Sequence, residues 1–367
     1  MQNSLIQLFS FYVKSFFILR EKQHMRHDNR NDECFETSIK ENILKEYRKI
    51  SGAGLHWDRK RIDIPLPAER EEANGRLTMI FPGGPILLNL IDIRTREIAE
   101  NIADPEKSKN VYRVLKINYC IAGRCELRLR SGECTYLTAG EIAVDAGQTL
   151  STFYYPTGEY RGFEIAVYLD FLPREYSVFG ECFSSPEGIY DLCSELERPW
   201  IRNAAEPVNG MYERLRIYID EYDNPELVLL ICLEAFSLLS QMDFSKASIR
   251  RTYCTVSQVE IAKSTRDMIV SDLSVRYTAR ELAKNFGISE TSLKNYFRSV
   301  YGCGYAEYQQ MIRMENAARL LEETEDKVAD IGQAVGFATQ AKFGAAFKEC
   351  FGVTPLEYRR RSRLGEL

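Results

Sequence analysis

The chain has 367 residues, of which 45% are hydrophobic and 28% charged. That composition excludes a mainly disordered, collagen-like or small disulfide-stapled chain, and the length favours two domains, with three allowed. The formal charge of −5 excludes a uniformly basic nucleic-acid coat but leaves room for a local basic face.

In chain order, Leu5 to Leu19 form an apolar run broken by Gln7, Ser10, Lys14 and Ser15. The run is too short for a membrane span of about 20 residues. No basic region precedes it and no small-residue cleavage site follows, so a signal peptide is not expected. Residues 1–24 read as an amphipathic or unstructured leader, or as untranslated sequence if synthesis starts at Met25. Residues 25–75 are polar and charged, with one helical stretch near Ile39–Ile50.

Residues 76–170 read as strands separated by glycine-bearing turns. The segments are Arg76–Phe81, Pro85–Ile93, Tyr112–Ile121, Cys125–Arg130, Glu141–Asp145, Thr149–Tyr155 and Tyr160–Leu169. Cys125, Leu127 and Leu129 alternate with Glu126, Arg128 and Arg130 at a period of two. So many short strands predict a small barrel or sandwich. Tyr119, Phe153, Tyr155 and Phe163 either line a ligand pocket within it or fill its core. Arg113 and Arg161 either pair with an anionic ligand or sit in solvent.

The three histidines, His24, His27 and His56, all precede this zone, so no metal centre and no cofactor is expected. Nucleophile elbows, P-loops and dinucleotide fingerprints are missing from the zone, which argues against an enzyme. Ten irregularly spaced cysteines without a C-x-x-C pair read as small buried hydrophobes in a reducing, cytoplasmic setting. Arg124 beside Cys125 keeps open a thiol redox switch using Cys120, Cys125 and Cys134.

Residues 184–245 switch to helical spacing, with Ser185–Pro186 and Asn224–Pro225 as cap-and-proline helix starts. The helix Glu226–Met242 is apolar on almost every side, so it is either deeply buried or a partner interface, and it leads as the dimer contact. Asp243–Thr255 is polar and reads as a linker.

The last hundred residues contain an internal repeat. At a shift of 49, Leu282 falls on Ile331, Ala283 on Gly332, Phe286 on Val335 and Gly287 on Gly336. At a shift of 50, Leu293 falls on Phe343, Phe297 on Phe347, Arg298 on Lys348, Gly302 on Gly352, and Glu307–Tyr308 on Glu357–Tyr358. Each copy reads as helix, tight turn, helix. Thr278 with Glu281 forms a capping box, Gly287 ends the first helix, and Ser289 caps the second. A long helix from Tyr305 to about Leu321 joins the copies, and a last helix opens at Thr354–Pro355. Two helices around a short glycine turn make the helix-turn-helix pattern, whose second helix fits a major groove. Residues 257–367 hold 16 basic and 15 acidic groups, so the position of the cations matters more than their number.

Glu281-Leu282-Ala283 with Gly287-Ile288-Ser289, the run Ile331 to Phe337, and the tail from Phe351 to Arg359 resemble the DNA-binding domain of the AraC/XylS transcriptional regulators. The resemblance implies two helix-turn-helix units on a rigid helix, placing recognition helices in successive major grooves of double-stranded promoter DNA. It implies base contacts from Thr291, Lys294, Asn295 and Gln340, and phosphate contacts from Arg298 and Lys348. Lys342 lies on the same groove-facing helix and is expected to join them. Gly344 and Ala345 stand where the family has a polar residue and an arginine, and Gly332 where it has alanine, so the second unit is expected to read little sequence. Leu137-Thr138-Ala139-Gly140-Glu141 resembles, more faintly, the turn of cupin-like sensor barrels.

The expected fold class is α+β multidomain: an N-terminal cupin-like β-barrel with helices, then an all-α double helix-turn-helix domain. The expected boundaries are a leader at 1–24, a sensor at 25–183, a helical dimerisation or linker region at 184–245, and DNA binding at 256–362. The expected function is a cytoplasmic transcription regulator, acting as a homodimer away from membranes and answering to a small-molecule effector. RNA polymerase is a further candidate partner. The alternative is control without a ligand, by abundance, a protein partner or cysteine redox state.

Overall fold

The computed structural model describes residues 56–57, 60–65, 74–94, 112–150, 154–172, 186–204, 206–244 and 251–366. The leader, the helix expected near Ile39–Ile50, and Phe153 lie outside them. The contacts divide the chain into two units. One holds the residues up to Gly123, Ala139–Phe153 and Gly158–Ser248; the other holds Arg124–Thr138, Tyr154–Thr157 and Ile249–Leu367. Two short pieces of the strand-rich zone thus group with the C-terminal helices, which differs from the expected boundaries.

In the first unit the strands are β1 (His56–Trp57), β2 (Arg61–Pro65), β3 (Asn74–Gly83), β4 (Ile86–Arg94), the proximal part of β5 (Val114–Leu129), β7 (Glu141–Asp145), β8 (Thr149–Leu150), β9 (Tyr160–Tyr168) and β10 (Trp200–Asn203). They pair in the order β1-β2-β3-β4-β9-β5-β7-β10, each pair antiparallel, with β8 beside β5.

This path is open among the described residues, which corrects the expected closed barrel. The physical reason lies in β5, a single 16-residue strand where the sequence reads two. Its pairing with β9 shifts register between Cys120 and Ala122, and from Arg124 it pairs with β6 (Glu133–Thr138) instead. A bulge of this kind bends a strand and ends its ladder locally. Gly123 has φ +82 there, and a Cβ would lie 2.0 Å from the Glu159 carbonyl oxygen, so only glycine fits.

Helices α1 (Pro186–Ser194), α2 (Glu206–Asn209), α3 (Met211–Arg216) and α4 (Pro225–Ser240) complete the first unit. Asn224 caps α4 by accepting from the Leu227 amide, and Pro225 occupies its first turn. Val228, Ile231, Cys232, Ala235, Phe236 and Leu239 are buried in one cluster with Leu88, Ile117, Phe163 and Ile165 of the sheet. Burial therefore accounts for most of the apolar character of α4; each of Val228, Ile231, Phe236 and Leu239 contributes about 1.5–3 kcal/mol when fully buried.

After α3 the chain makes a π-helical turn at Ile217–Glu221. A cavity of about 350 Å³ opens nearby, walled by Ile80, Tyr218, Ile219, Pro225 and Val228, with Lys60, Arg61, Asp223 and Asn224 also lining it.

The second unit is built from the β5–β6 hairpin, the strand β11 (Cys254–Thr255) paired with β6, and seven helices. These are α5 (Val256–Ser271), α6 (Ala279–Asn285), α7 (Glu290–Tyr301), α8 (Tyr305–Glu323), α9 (Val328–Ala334), α10 (Gln340–Phe351) and α11 (Pro355–Leu364). The expected linker thus ends in a strand, and Thr255 then caps α5 with a capping box to Gln258. No described helix is long and apolar enough to cross a membrane.

Candidate nucleic-acid interface

The two helix-turn-helix copies share their local chemistry. Thr278 accepts from the Glu281 amide and Glu281 answers to the Thr278 amide, which starts α6. Ser289 and Thr339 cap α7 and α10 by accepting from the amides of Ser292 and Lys342. Both of these helices stop at a left-handed glycine, Gly302 at φ +80 and Gly352 at φ +76. The turn glycines differ in what surrounds them. A Cβ on Gly287 would meet nothing within 4 Å, whereas one on Gly336 would lie 2.7 Å from the Leu273 carbonyl oxygen.

Aromatic packing repeats as closely as the caps do. Phe297, Tyr301 and Tyr308 have ring separations of 4.5, 5.4 and 5.1 Å. Phe347, Phe351 and Tyr358 give 4.5, 5.3 and 5.2 Å. Each trio anchors the last turns of its second helix, and Tyr301 is the member that the sequence reading omitted, although Phe351 stands 50 positions later.

Helix α8, about 28 Å long at 1.5 Å per residue, joins the copies. Its buried Arg313 and Gln309 donate to the Val275 carbonyl at 2.8 and 3.3 Å, holding the loop that leads into α6. Burial first, and then the nearby Arg276 charge, lowers the Arg313 pKa from its usual value. At the other end of α8, Arg359 donates to the Leu321 and Asp326 carbonyls at 3.2 and 2.7 Å. Arg361 and Arg363 pair with Glu357 and Glu325. Arg359, Arg361 and Arg363 therefore serve the framework of the unit.

The buried face of α7 is Leu293, Phe297, Val300 and Tyr301. Thr291, Lys294, Asn295 and Arg298 are exposed on the same helix. In α10, Phe343 and Phe347 are buried while Gln340, Lys342 and Lys348 are exposed. A helix with one buried stripe and a polar outer face can lie in a groove that displays base edges.

A helix-turn-helix domain family matches residues 282–361. Relatives include the HTH-type transcriptional regulator GlxA of Rhizobium meliloti (strain 1021), 37% identical over 81 residues, 22% of this chain and 25% of that protein. A putative AraC-like transcription regulator of Streptomyces lividans is 33% identical over 84 residues, 23% of this chain and 28% of that protein. The probable transcription factor PqrA of Proteus vulgaris is 32% identical over 83 residues, 23% of this chain and 68% of that protein. The chain belongs to the AraC-type helix-turn-helix family.

The likeness spans only about a quarter of the first two relatives. Within the AraC-type domain, its departures from the family pattern have visible surroundings. A Cβ on Gly332 would press within 3.0 Å of the Phe343 ring, so this copy packs a phenylalanine where a methyl would stand. Gly344 borders open space and Ala345 is exposed, which leaves the outer face of α10 short of reaching groups.

Outside the AraC-type domain the proposed ligand aromatics do not form one group. Tyr119 and Phe163 are buried in the core of the first unit, with ring centroids 5.5 Å apart, and the Tyr119 hydroxyl donates to Asn209. Tyr155 is buried but belongs to the other unit. Arg113 pairs with Asp170 at 2.8 Å. Cys120, Cys125 and Cys134 are buried, and burial pushes the Cys134 thiol up, which opposes thiolate chemistry.

Proposed function

We propose that this AraC-type chain is a sequence-specific transcription regulator that binds double-stranded promoter DNA. The observation that carries the reading is the division of α7 into a buried apolar stripe and an exposed face with Thr291, Lys294 and Asn295. Lysine donates to guanine, and asparagine pairs with adenine through two hydrogen bonds. Gln340 reads from α10, and Arg298, Lys342 and Lys348 take phosphates. The short residues Gly344 and Ala345 place most of the sequence reading on α7.

The test is selection of genomic fragments with purified protein, followed by titration of the selected duplex. Asn295→Ala is expected to relax preference at one base pair, at about 1–3 kcal/mol, while Lys348→Ala weakens all sequences alike. Equal loss of specificity from the two variants sinks the assignment.

The first unit is proposed to sense a small molecule. The cavity beside α4 is of a size that takes one, with apolar walls and ionic groups at Lys60, Arg61 and Asp223. It supports this reading better than Tyr119 and Phe163, which fill core. Ligand and DNA would bias one equilibrium between two states, each altering affinity for the other. In a thermal-shift screen, an effector is expected to stabilise the wild type but not the cavity-filling Val228→Phe. A ligand that shifts both equally binds elsewhere. Homodimerisation through the outward side of α4, where Leu230 is exposed, completes the proposed assembly, with RNA polymerase as a further partner in the cytoplasm.

A further inference from the structure

The internal repeat supplies its own control. The two aromatic trios match in geometry, yet the first ends in a hydroxyl at Tyr301 where the second has none at Phe351. That hydroxyl lies 3.0 Å from the hydroxyl of Tyr154, which comes from the strand-rich zone. The Lys263 ammonium sits 3.9 Å above the Tyr154 ring. Beside this pair, Arg124 Nε donates to the Val300 carbonyl at 2.9 Å and Nη2 to the Ser299 carbonyl at 2.7 Å. Its guanidinium also lies 5.0 Å from the Tyr136 ring centroid. Ser299 and Val300 belong to the last turn of α7, whose carbonyls have no partner within the helix. A fork of cationic donors satisfies two of them and meets the negative end of the helix dipole.

We propose that Arg124, supported by Tyr154, is a positioning residue for DNA reading, although it lies more than a hundred residues before the helix-turn-helix units. It fixes the last turn of α7 and thereby the orientation of Thr291, Lys294 and Asn295. Base contacts need that orientation, whereas attraction between cations and phosphates tolerates a loose helix. The AraC-type DNA-binding unit of this chain thus includes a hairpin that the family pattern does not contain.

The inference rests on the DNA-binding reading, and full-length variants test it in two ways. On the duplex selected by the wild type, Arg124→Ala is expected to lose about tenfold in affinity, as for one charge-assisted hydrogen bond, and under about twofold on a scrambled duplex. Arg124→Lys keeps the charge and recovers part of the loss. Equal losses on both duplexes, or none on either, overturn the proposal. If Arg124→Ala does not fold, Tyr154→Phe decides, because it removes one oxygen; an unchanged ratio between the two duplexes then counts against the idea. In DNA-free protein, hydrogen exchange of the amides at 298–302 is expected to quicken in Arg124→Ala, and unchanged exchange also overturns it. If the wild type fails to discriminate the two duplexes, the DNA reading fails by itself, while the exchange result still decides whether Arg124 holds α7.

Discussion

Burial alone would raise the Asp63 carboxyl pKa, yet hydrogen bonds from the Thr78 hydroxyl and the Arg61 guanidinium, both at 2.7 Å, hold it below the usual carboxylate range. Arg61 also reaches the Ile219 carbonyl at 2.8 Å, so the pair ties β2 to the turn after α3. Because the folded value lies below the unfolded one, this stabilisation is present above about pH 4 and is lost as pH falls through the folded value. Asp63→Asn is expected to cost about 1–2 kcal/mol at pH 7. It should also flatten the acid limb of stability below about pH 4. Chemical unfolding of wild type and variant at several pH values checks this; parallel acid limbs count against it. None of this was read from the sequence, where Asp63 falls in a zone taken as polar and charged; the alternation of Arg61 and Asp63 with Ile62 and Ile64 is the signal that marks the strand, but the partners of Asp63 other than Arg61 come from distant segments. Capping residues such as Thr278 and Ser289 were legible, because a cap and its partner lie three residues apart.

Among elements, the helices of the second unit follow their sequence signals closely, since caps, glycine stops and the 3.6-residue period are all local. Strand β5 did not, because Ala122 and Gly123 interrupt its alternation and read as a turn. The backbone instead bulges between Cys120 and Ala122 and continues through Gly123 as one strand. The role of α4 was ambiguous because an all-round apolar helix looks the same whether a sheet or a partner covers it; the sheet covers most of it here. In α10, Gly344 fills no tight space, as an added Cβ would meet nothing within 4 Å. Gly344→Ala is therefore expected to stabilise the second unit by about 1 kcal/mol, through helix propensity alone. A rise in its melting temperature with unchanged affinity for a scrambled duplex would bear this out. A fall would mean that the glycine is needed in a way its surroundings do not reveal.

At the scale of the whole molecule, a chain of net charge −5 must bind a polyanion through local cations. Its affinity should fall steeply with salt, and each phosphate contact contributes about 0.9 to the slope of log affinity against log salt. Replacing both Lys342 and Lys348 by alanine is expected to reduce that slope by about 2, measured by titration at several salt concentrations. An unchanged slope would remove α10 from the interface.

The discontinuous second unit also bears on how the protein is made. Arg124 precedes its acceptor on Val300 by 176 residues. At about 5–20 residues per second, that interval takes roughly 10–35 s on the ribosome. Until Cys254 and Thr255 are made, late in that interval, β6 has no β11 to pair with, and Cys134 and Tyr136 await the helices that bury them. A nascent chain holding an open strand edge for that time is a natural client for chaperones, and slow synthesis would lengthen its exposure to aggregation.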